Sequence, residues 1–315
     1  MIMTRADQTT AIRALKNAAP YIRMYKGKTF VVKAGGGVFA DTESTRVLIE
    51  QIAILHYFGV RVVMVHGGGP QVTELEGALG LQSRMVGGRR ITDGKSIDVT
   101  AMVLSGLINT RILAICRELN IDAIGISGVD AGLIRAHRRP PMKVDGGELV
   151  DFGFVGDINR VDTTVVRKLL DNGLMPVVSP LSADENGVLL NINADTVAAA
   201  ISAELGAEKL ILCTGAPGIL ERVDDPGSLI SYTDLRGLKK LKDEKRIVDG
   251  MLPKAKAIED AIRGGVRRVH VVSYKSPEGI LGEVFTNEGT GTLIVPDVNT
   301  MPPDEQQASS SGAAA

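Results

Sequence analysis

Twice in the first quarter of the chain an apolar run ends in three consecutive glycines, and no other feature constrains the fold as strongly. The first junction reads Thr29-Phe-Val-Val-Lys33-Ala34-Gly35-Gly36-Gly37, the second Arg61-Val-Val-Met-Val-His66-Gly67-Gly68-Gly69-Pro70. Strand-favouring residues that stop at a glycine run describe buried strands whose C-terminal ends open onto loops. Glycine lets backbone approach an anion closely, because no Cβ intervenes and positive φ is accessible. Lys33 would face that anion, and Pro70 suits the first turn of a following helix, whose orphan N–H groups and dipole favour phosphate. One such junction reads equally well as an ordinary turn. Two of them make a phosphate-handling cleft the leading reading.

The rest of the chain builds around these strands. Asp41 or Thr42 caps a helix through about Tyr57, closed by Gly59, so the two strands form a βαβ unit and are parallel neighbours. Arg84 to Thr92 reads as a hairpin turning at Gly87-Gly88, with Arg89 and Arg90 on the return limb. Helices are expected over 96–119, 162–171, 196–205 and 253–264, and strands over 122–126, 133–136, 149–155, 174–178, 208–213 and 268–273, with a last strand ending at Val295. This alternation predicts an α/β fold, a mostly parallel sheet sandwiched by helices with inserted hairpins. Ahead of it, residues 9–25 carry Ile12, Leu15, Ala19 and Ile22 at roughly helical spacing, with Pro20 expected to kink or break the helix. The stretch 296–315, rich in Pro, Ser, Gln and Ala, has little to bury and is expected to be disordered.

Composition excludes several function classes. Thirty-six basic residues against 37 acidic ones leave no bulk field for nucleic acid or a membrane surface, and aromatics at 3% offer no base-stacking platform. Cys116 and Cys213 lack any pair spacing, so neither a disulfide framework nor a zinc site is expected, and a reducing cytoplasm fits. No signal-type leader is visible, and no run reaches the roughly 18 apolar residues of a membrane span. Common nucleotide motifs also fail. Gly88 to Gly94-Lys95-Ser96 has the wrong spacing for Walker A, Gly27-Lys28-Thr29 precedes its strand, and neither G-x-G-x-x-G nor H-R-D occurs.

Five motifs in order resemble those of N-acetylglutamate kinases of the amino acid kinase superfamily: Lys33-Ala34-Gly35-Gly36, His66-Gly67-Gly68-Gly69-Pro70, Gly88-Arg89-Arg90-Ile91-Thr92-Asp93, Asn191-Ile192-Asn193-Ala194-Asp195 and Asp249-Gly250-Met251-Leu252-Pro253-Lys254. The resemblance covers about residues 10–295. It is looser at Cys213 to Gly218 and at Ser273-Tyr274-Lys275, which bear on the nucleotide and on an effector.

The resemblance implies ATP-dependent phosphorylation of the side-chain carboxylate of N-acetyl-L-glutamate, with Mg²⁺ on the ATP phosphates. Lys33 and Lys254 would flank the moving phosphoryl, Asp195 would hold both lysines, and amides at Gly35, Gly36, Gly68 and Gly69 would bind phosphate and substrate. Arg90 and Asn191 would contact the amino acid, Arg90 by a fork to its α-carboxylate. Each has a plainer reading: Asp195 as a helix cap, Asn191 as a strand-end hydrogen bond, Arg90 as a solvated charge. His66 reads as structural. A carboxylate nucleophile is already ionised, so no general base is required. The implied division is a leading helix over 1–27, an acyl-amino-acid lobe over 28–183 and an ATP lobe over 184–295. A leading helix resembles the hexameric, arginine-inhibited type, a trimer of dimers, with a dimer as the alternative. Rival readings are a kinase of carrier-linked aminoadipate and a non-catalytic amino-acid-sensing domain.

Overall fold

A computed structural model describes residues 5–144, 147–222, 224–225, 227–247, 250–286 and 289–300. Thr29–Ala34 and Arg61–His66 pair in parallel, and Lys209–Thr214 pairs in parallel with the first of them on its other side. The full sheet has eight strands in the order Tyr232–Asp234, Thr292–Val295, Arg268–Ser273, Lys209–Thr214, Thr29–Ala34, Arg61–His66, Met175–Ser179, Ala123–Ser127. Every neighbouring pair is parallel except Arg268–Ser273 against Thr292–Val295. The chain leaves Thr29–Ala34 toward one side of the sheet and later returns to its other side as Lys209–Thr214. Ligands of open α/β sheets bind beyond the strand C-termini at such a reversal.

Successive residues of a strand point to opposite faces, and both faces here are covered. Val31, Val63, Leu210 and Leu212 pack with Val197, Ile201 and Ile258 from the helices Ala194–Leu205 and Met251–Arg263. Phe30, Val32, Met64 and Ile211 pack on the opposite side with Leu48, Ile52, Ile112 and Ile280. The expected sandwich is therefore present. Lys33 shares the face of Val31, which aims it at the two helices that carry Asp195 and Lys254.

The hairpin is where the sequence puts it, Arg84–Val86 against Arg89–Ile91, and both turn glycines have positive φ, 54° at Gly87 and 70° at Gly88. Asp41 caps Thr42–Tyr57, accepting from the Glu43 N–H at 2.9 Å. Three expectations need correction. The strand expected at 149–155 is only Leu149–Val150, and Gly156–Val161, whose exposed Asn159 and Arg160 disguise it, pairs instead with Ile134–Arg138. The helix Arg5–Tyr25 runs through Pro20 without breaking. The 25-residue helical stretch Gly94–Glu118 does have the length and apolarity of a membrane span, although its Val103, Ile108, Ile112 and Cys116 are buried in the fold. Beyond Val295, Arg236 donates to Asp297 at 3.0 Å and Val298–Thr300 forms one 3₁₀ turn; residues 301–315 lie outside the described residues.

Candidate active site

Three charged side chains from three elements meet at the C-terminal end of the first strand. Lys33 comes from the strand, Asp195 from the first turn of Ala194–Leu205, and Lys254 from the first turn of Met251–Arg263. One carboxylate oxygen, Asp195 Oδ1, lies 3.0 Å from Lys33 Nζ and 2.9 Å from Lys254 Nζ. The three residues are 6%, 7% and 7% exposed for Lys33, Asp195 and Lys254. Burial alone would raise the Asp195 carboxyl, but the two lysines overcome it and hold it at about 2. Burial and then the Lys33 charge lower the Lys254 ammonium, with Asp195 opposing them. Two cations share one anion, so the cluster carries one surplus positive charge. Asp195 is not the helix cap: Asn193 Oδ1 accepts from the Asp195 and Thr196 N–H groups at 2.8 and 3.2 Å.

The glycine loops abut one another beside this cluster. A Cβ on Gly36 would lie 2.7 Å from Pro70 Cδ and 3.0 Å from Gly68 Cα, and one on Gly68 would lie 2.4 Å from Ile108 Cδ1. Neither glycine has positive φ, so close approach and not backbone handedness is what requires them. Gln71 ties the loops together, its Nε2 donating to the Gly36 carbonyl at 2.8 Å. The helix Gly69–Ala78 starts at the second loop with Pro70 in its first turn and no side-chain cap, leaving its first amides for an anion. Leu104 and Ile108 reach Gly68 from a π-helical stretch, Met102–Ile108, inside the Gly94–Glu118 helix.

These groups line one cleft of about 720 Å³, which also takes in Arg89, Arg90, Arg139, Asp157 and Asn191. Of the residues named from the sequence for the site, Lys33, Gly35, Gly36, Gly68, Gly69, Arg90, Asn191 and Asp195 line this cleft; Lys254 does not line it and is bound behind it to Asp195. Asn191 lies at the end of Leu189–Asn191, its backbone N–H donating to the Phe154 carbonyl at 2.8 Å. Arg90 is half-buried and heavily engaged: it pairs with Glu76 and donates to Ser83 Oγ at 2.7 Å, Thr73 Oγ1 at 2.6 Å and the Gly69 carbonyl at 3.1 Å. His66, read from the sequence as structural, does not line the cleft. It is buried, burial holds its ring at about 4, and its Nε2 lies 3.2 Å from Asn109 Nδ2. Sequence reasoning missed Glu76, Gln71 and the Arg139–Asp157 ion pair at 2.6 Å. It did include Asn193, but only as part of a motif; a cap-type residue directly before a helix was the available signal. Asp249, in the last motif, lies outside the described residues.

Residues 28–273 match the model of the family described as the amino acid kinase family. The chain is 47% identical over 287 residues to an acetylglutamate kinase of Myxococcus xanthus, covering 90% of this chain and 93% of that protein. It is 40% identical over 288 residues to an acetylglutamate kinase of Archaeoglobus fulgidus, covering 90% and 99% respectively. Among solved structures it resembles N-acetylglutamate synthase from Neisseria gonorrhoeae complexed with coenzyme A and N-acetyl-glutamate, with a TM-score of 0.79 at 26% identity. That match covers 91% of this chain and 64% of the synthase chain. Carbamate kinase from Giardia lamblia bound to AMP-PNP, at 17% identity and a TM-score of 0.62, shares the fold.

Proposed function

The chain belongs to the amino acid kinase family, and from that premise we propose that it transfers the γ-phosphoryl of ATP to the side-chain carboxylate of N-acetyl-L-glutamate, giving N-acetyl-L-glutamyl 5-phosphate for arginine biosynthesis. The observation that carries the reading is the Lys33–Asp195–Lys254 cluster facing two uncapped glycine loops. Phosphoryl transfer asks the protein for alignment and for neutralisation of charge on the moving group. Lys33 and Lys254 supply that charge from either side, Asp195 fixes their heads, and the Gly35, Gly36, Gly68 and Gly69 amides bind phosphate and substrate oxygens. No proton must be removed from a carboxylate nucleophile, which agrees with a cleft where the nearby His66 is neutral and tied to Asn109.

Among the described residues no three His, Cys, Asp or Glu side chains cluster as metal ligands, and Asp195 is engaged by lysines. Mg²⁺ would therefore arrive with ATP, held by its phosphates, where it neutralises their charge. The substrate occupies the 28–183 lobe, against Arg90, with Asn191 reaching it from the start of the 184–295 lobe, which takes ATP. A cytoplasmic setting, where ATP is at hand, is part of this reading. Of the other cleft guanidinium groups Arg139 is neutralised by Asp157, leaving Arg89, so the cleft favours a small acyl amino acid over an acidic carrier. Joined lysines speak against a purely sensing role. The helix Arg5–Tyr25, with Ile12 and Leu15 each 57% exposed, pairs with a second subunit's helix to link dimers into a hexamer, and L-arginine acts as effector near it.

ADP release measured with acetylglutamate, glutamate, aspartate and acetylated aminoadipate tests the reading. Acetylglutamate is expected to give the highest kcat/KM. A preference for acetylated aminoadipate, or no turnover with any of the four, would overturn it.

A further inference from the structure

The geometry points to Glu76 as a positioning residue that fixes Arg90 against the wall of the cleft; this rests on the reading of Arg90 as a substrate contact. Glu76 lies on the helix that starts at the second glycine loop, and its side chain is 1% exposed. Its Oε2 takes the Arg90 guanidinium and the Ser83 hydroxyl, and its buried Oε1 has no partner among the described residues. Gly69, Thr73 and Glu76 are spaced along one face of that helix, and Arg90 lies along it, touching all three. Its Nη1 serves Glu76 and Ser83 and its Nη2 serves Thr73 and the Gly69 carbonyl, so four of the five guanidinium donors are in use.

Two consequences follow. A carboxylate this deeply buried is stable only with its counter-ion, so Arg90 cannot swing toward a ligand without leaving an uncompensated charge behind. Arg90 therefore meets the substrate as a fixed charge and not with the open fork expected from the sequence, Nε–H being its one donor without a partner among the described residues. The same contacts join the hairpin to the Gly69 carbonyl, so the position of Arg90 and that of the glycine loop are set together. Glu76 touches no reacting atom. Its effect on the reaction runs through Arg90.

Glu76→Gln keeps the shape and one acceptor but removes the charge. It is expected to raise the KM for acetylglutamate about threefold or more, leaving kcat and the KM for ATP within about twofold, as loss of ground-state positioning requires. Glu76→Asp, which keeps the charge but draws it back, should recover part of that rise and serves as the test if Glu76→Gln does not fold by circular dichroism. The double variant Arg90→Lys with Glu76→Gln should have the KM of Arg90→Lys alone, because the second change acts only through the first. An unchanged KM in folded Glu76→Gln, or effects that multiply in the double variant, overturns the assignment. If Arg90→Lys itself leaves KM unchanged, the reading of Arg90 fails instead; if Arg90→Lys raises KM and neither Glu76 variant does, only the role of Glu76 fails.

Discussion

Two buried charged clusters sit at opposite ends of the same strand pair, Thr29–Ala34 and Lys209–Thr214, and they are built differently. At the C-terminal end two lysines share the single oxygen Asp195 Oδ1. At the other end Lys209 Nζ donates to His270 Nε2 at 2.9 Å, His270 Nδ1 donates to Glu283 Oε1 at 2.7 Å, and Glu283 Oε2 accepts the Thr290 and Gly291 N–H groups at 2.7 and 2.9 Å. Burial, reinforced by Lys209, holds the His270 ring neutral, at about 4. His270 bridges the Lys209 cation to the Glu283 anion there, and Tyr25, at the end of the leading helix, covers it with its ring 5.0 Å from Lys209 Nζ. In the closed cluster the Lys209 cation and the Glu283 anion are linked one to one through the ring. The open one keeps a surplus positive charge beside a cleft, which is what a site for a polyanion needs and what a merely structural cluster would avoid.

The sharpest way to break this comparison is to remove the surplus charge. Lys33→Ala and Lys254→Ala are each expected to lower kcat by about 10² or more, corresponding to about 3 kcal/mol of lost transition-state stabilisation. Acetylglutamate binding, followed by calorimetry, should change much less. Lys209→Met, at the closed cluster, should lower thermal stability while kcat stays within about twofold. Near-normal turnover in either cleft variant, or a collapse of kcat in Lys209→Met, would reverse the roles assigned to the two ends.

The buried histidines, His270 in the closed cluster and His66 at the cleft end of its strand, should instead reveal themselves through pH. His66 and His270 both titrate near 4 in the folded protein against 6.5 in an ordinary environment, so between those values the unfolded chain binds protons that the folded one refuses. Stability is then full above about 6.5 and falls as pH drops toward 4, by up to about 3 kcal/mol for each histidine. Chemical denaturation at pH 7 and pH 4.5 measures it, and His270→Gln should flatten the slope. A wild-type stability that does not fall over this range would mean the rings are not held neutral by burial.

A smaller effect is expected at the cleft wall. Arg90→Lys loses the planar head that reaches Glu76, Ser83, Thr73 and Gly69 together, and should raise the KM for acetylglutamate about five- to tenfold with little change in kcat. Steady-state titration of acetylglutamate at saturating ATP decides it. An unchanged KM would mean Arg90 braces the loop without contributing to substrate affinity.

What the sequence made legible follows from locality. A strand ending in Lys33 and glycines, a cap at Asp41 and a Gly87-Gly88 turn are decided within a few residues, and each was readable. Asp195 and Lys254 were readable only through motif resemblance, because nothing local says that two helix starts so far apart in sequence converge on one strand. Glu76 was hidden for the same reason: in Thr73-Glu74-Leu75-Glu76 it looks like a surface charge, and its burial depends on a hairpin that folds down later in the chain. The π-helical stretch Met102–Ile108 left no mark on the apolar periodicity, since one widened turn shifts the pattern by a single residue. His270 and Glu283 belong to a strand and a helix whose pairing no spacing rule reports.

The smallest expected effect on catalysis, and the largest on assembly, comes from the leading helix. Its described side chains are exposed from Gln8 to Asn17, and only near its end do Tyr21 and Tyr25 pack against the body. An exposed apolar stripe on one helix is poorly stable alone, and the proposed pairing with the same helix of another subunit would bury it. Because Tyr25 also covers Lys209, a subunit contact through this helix would be coupled to the closed cluster, and L-arginine bound there would shift subunit arrangement if it favours one arrangement over another. Deleting residues 1–25 is therefore expected to convert a hexamer into dimers, to leave kcat within about twofold and to abolish any response to arginine, since the open cluster at the far end of the strands is untouched. Light scattering on the full-length and shortened chains, with arginine titrated into the activity assay of each, measures all three. A full-length dimer, or a shortened chain that stays hexameric, would sink the ring; a shortened chain that loses turnover would show that the two ends of the strand pair are not independent.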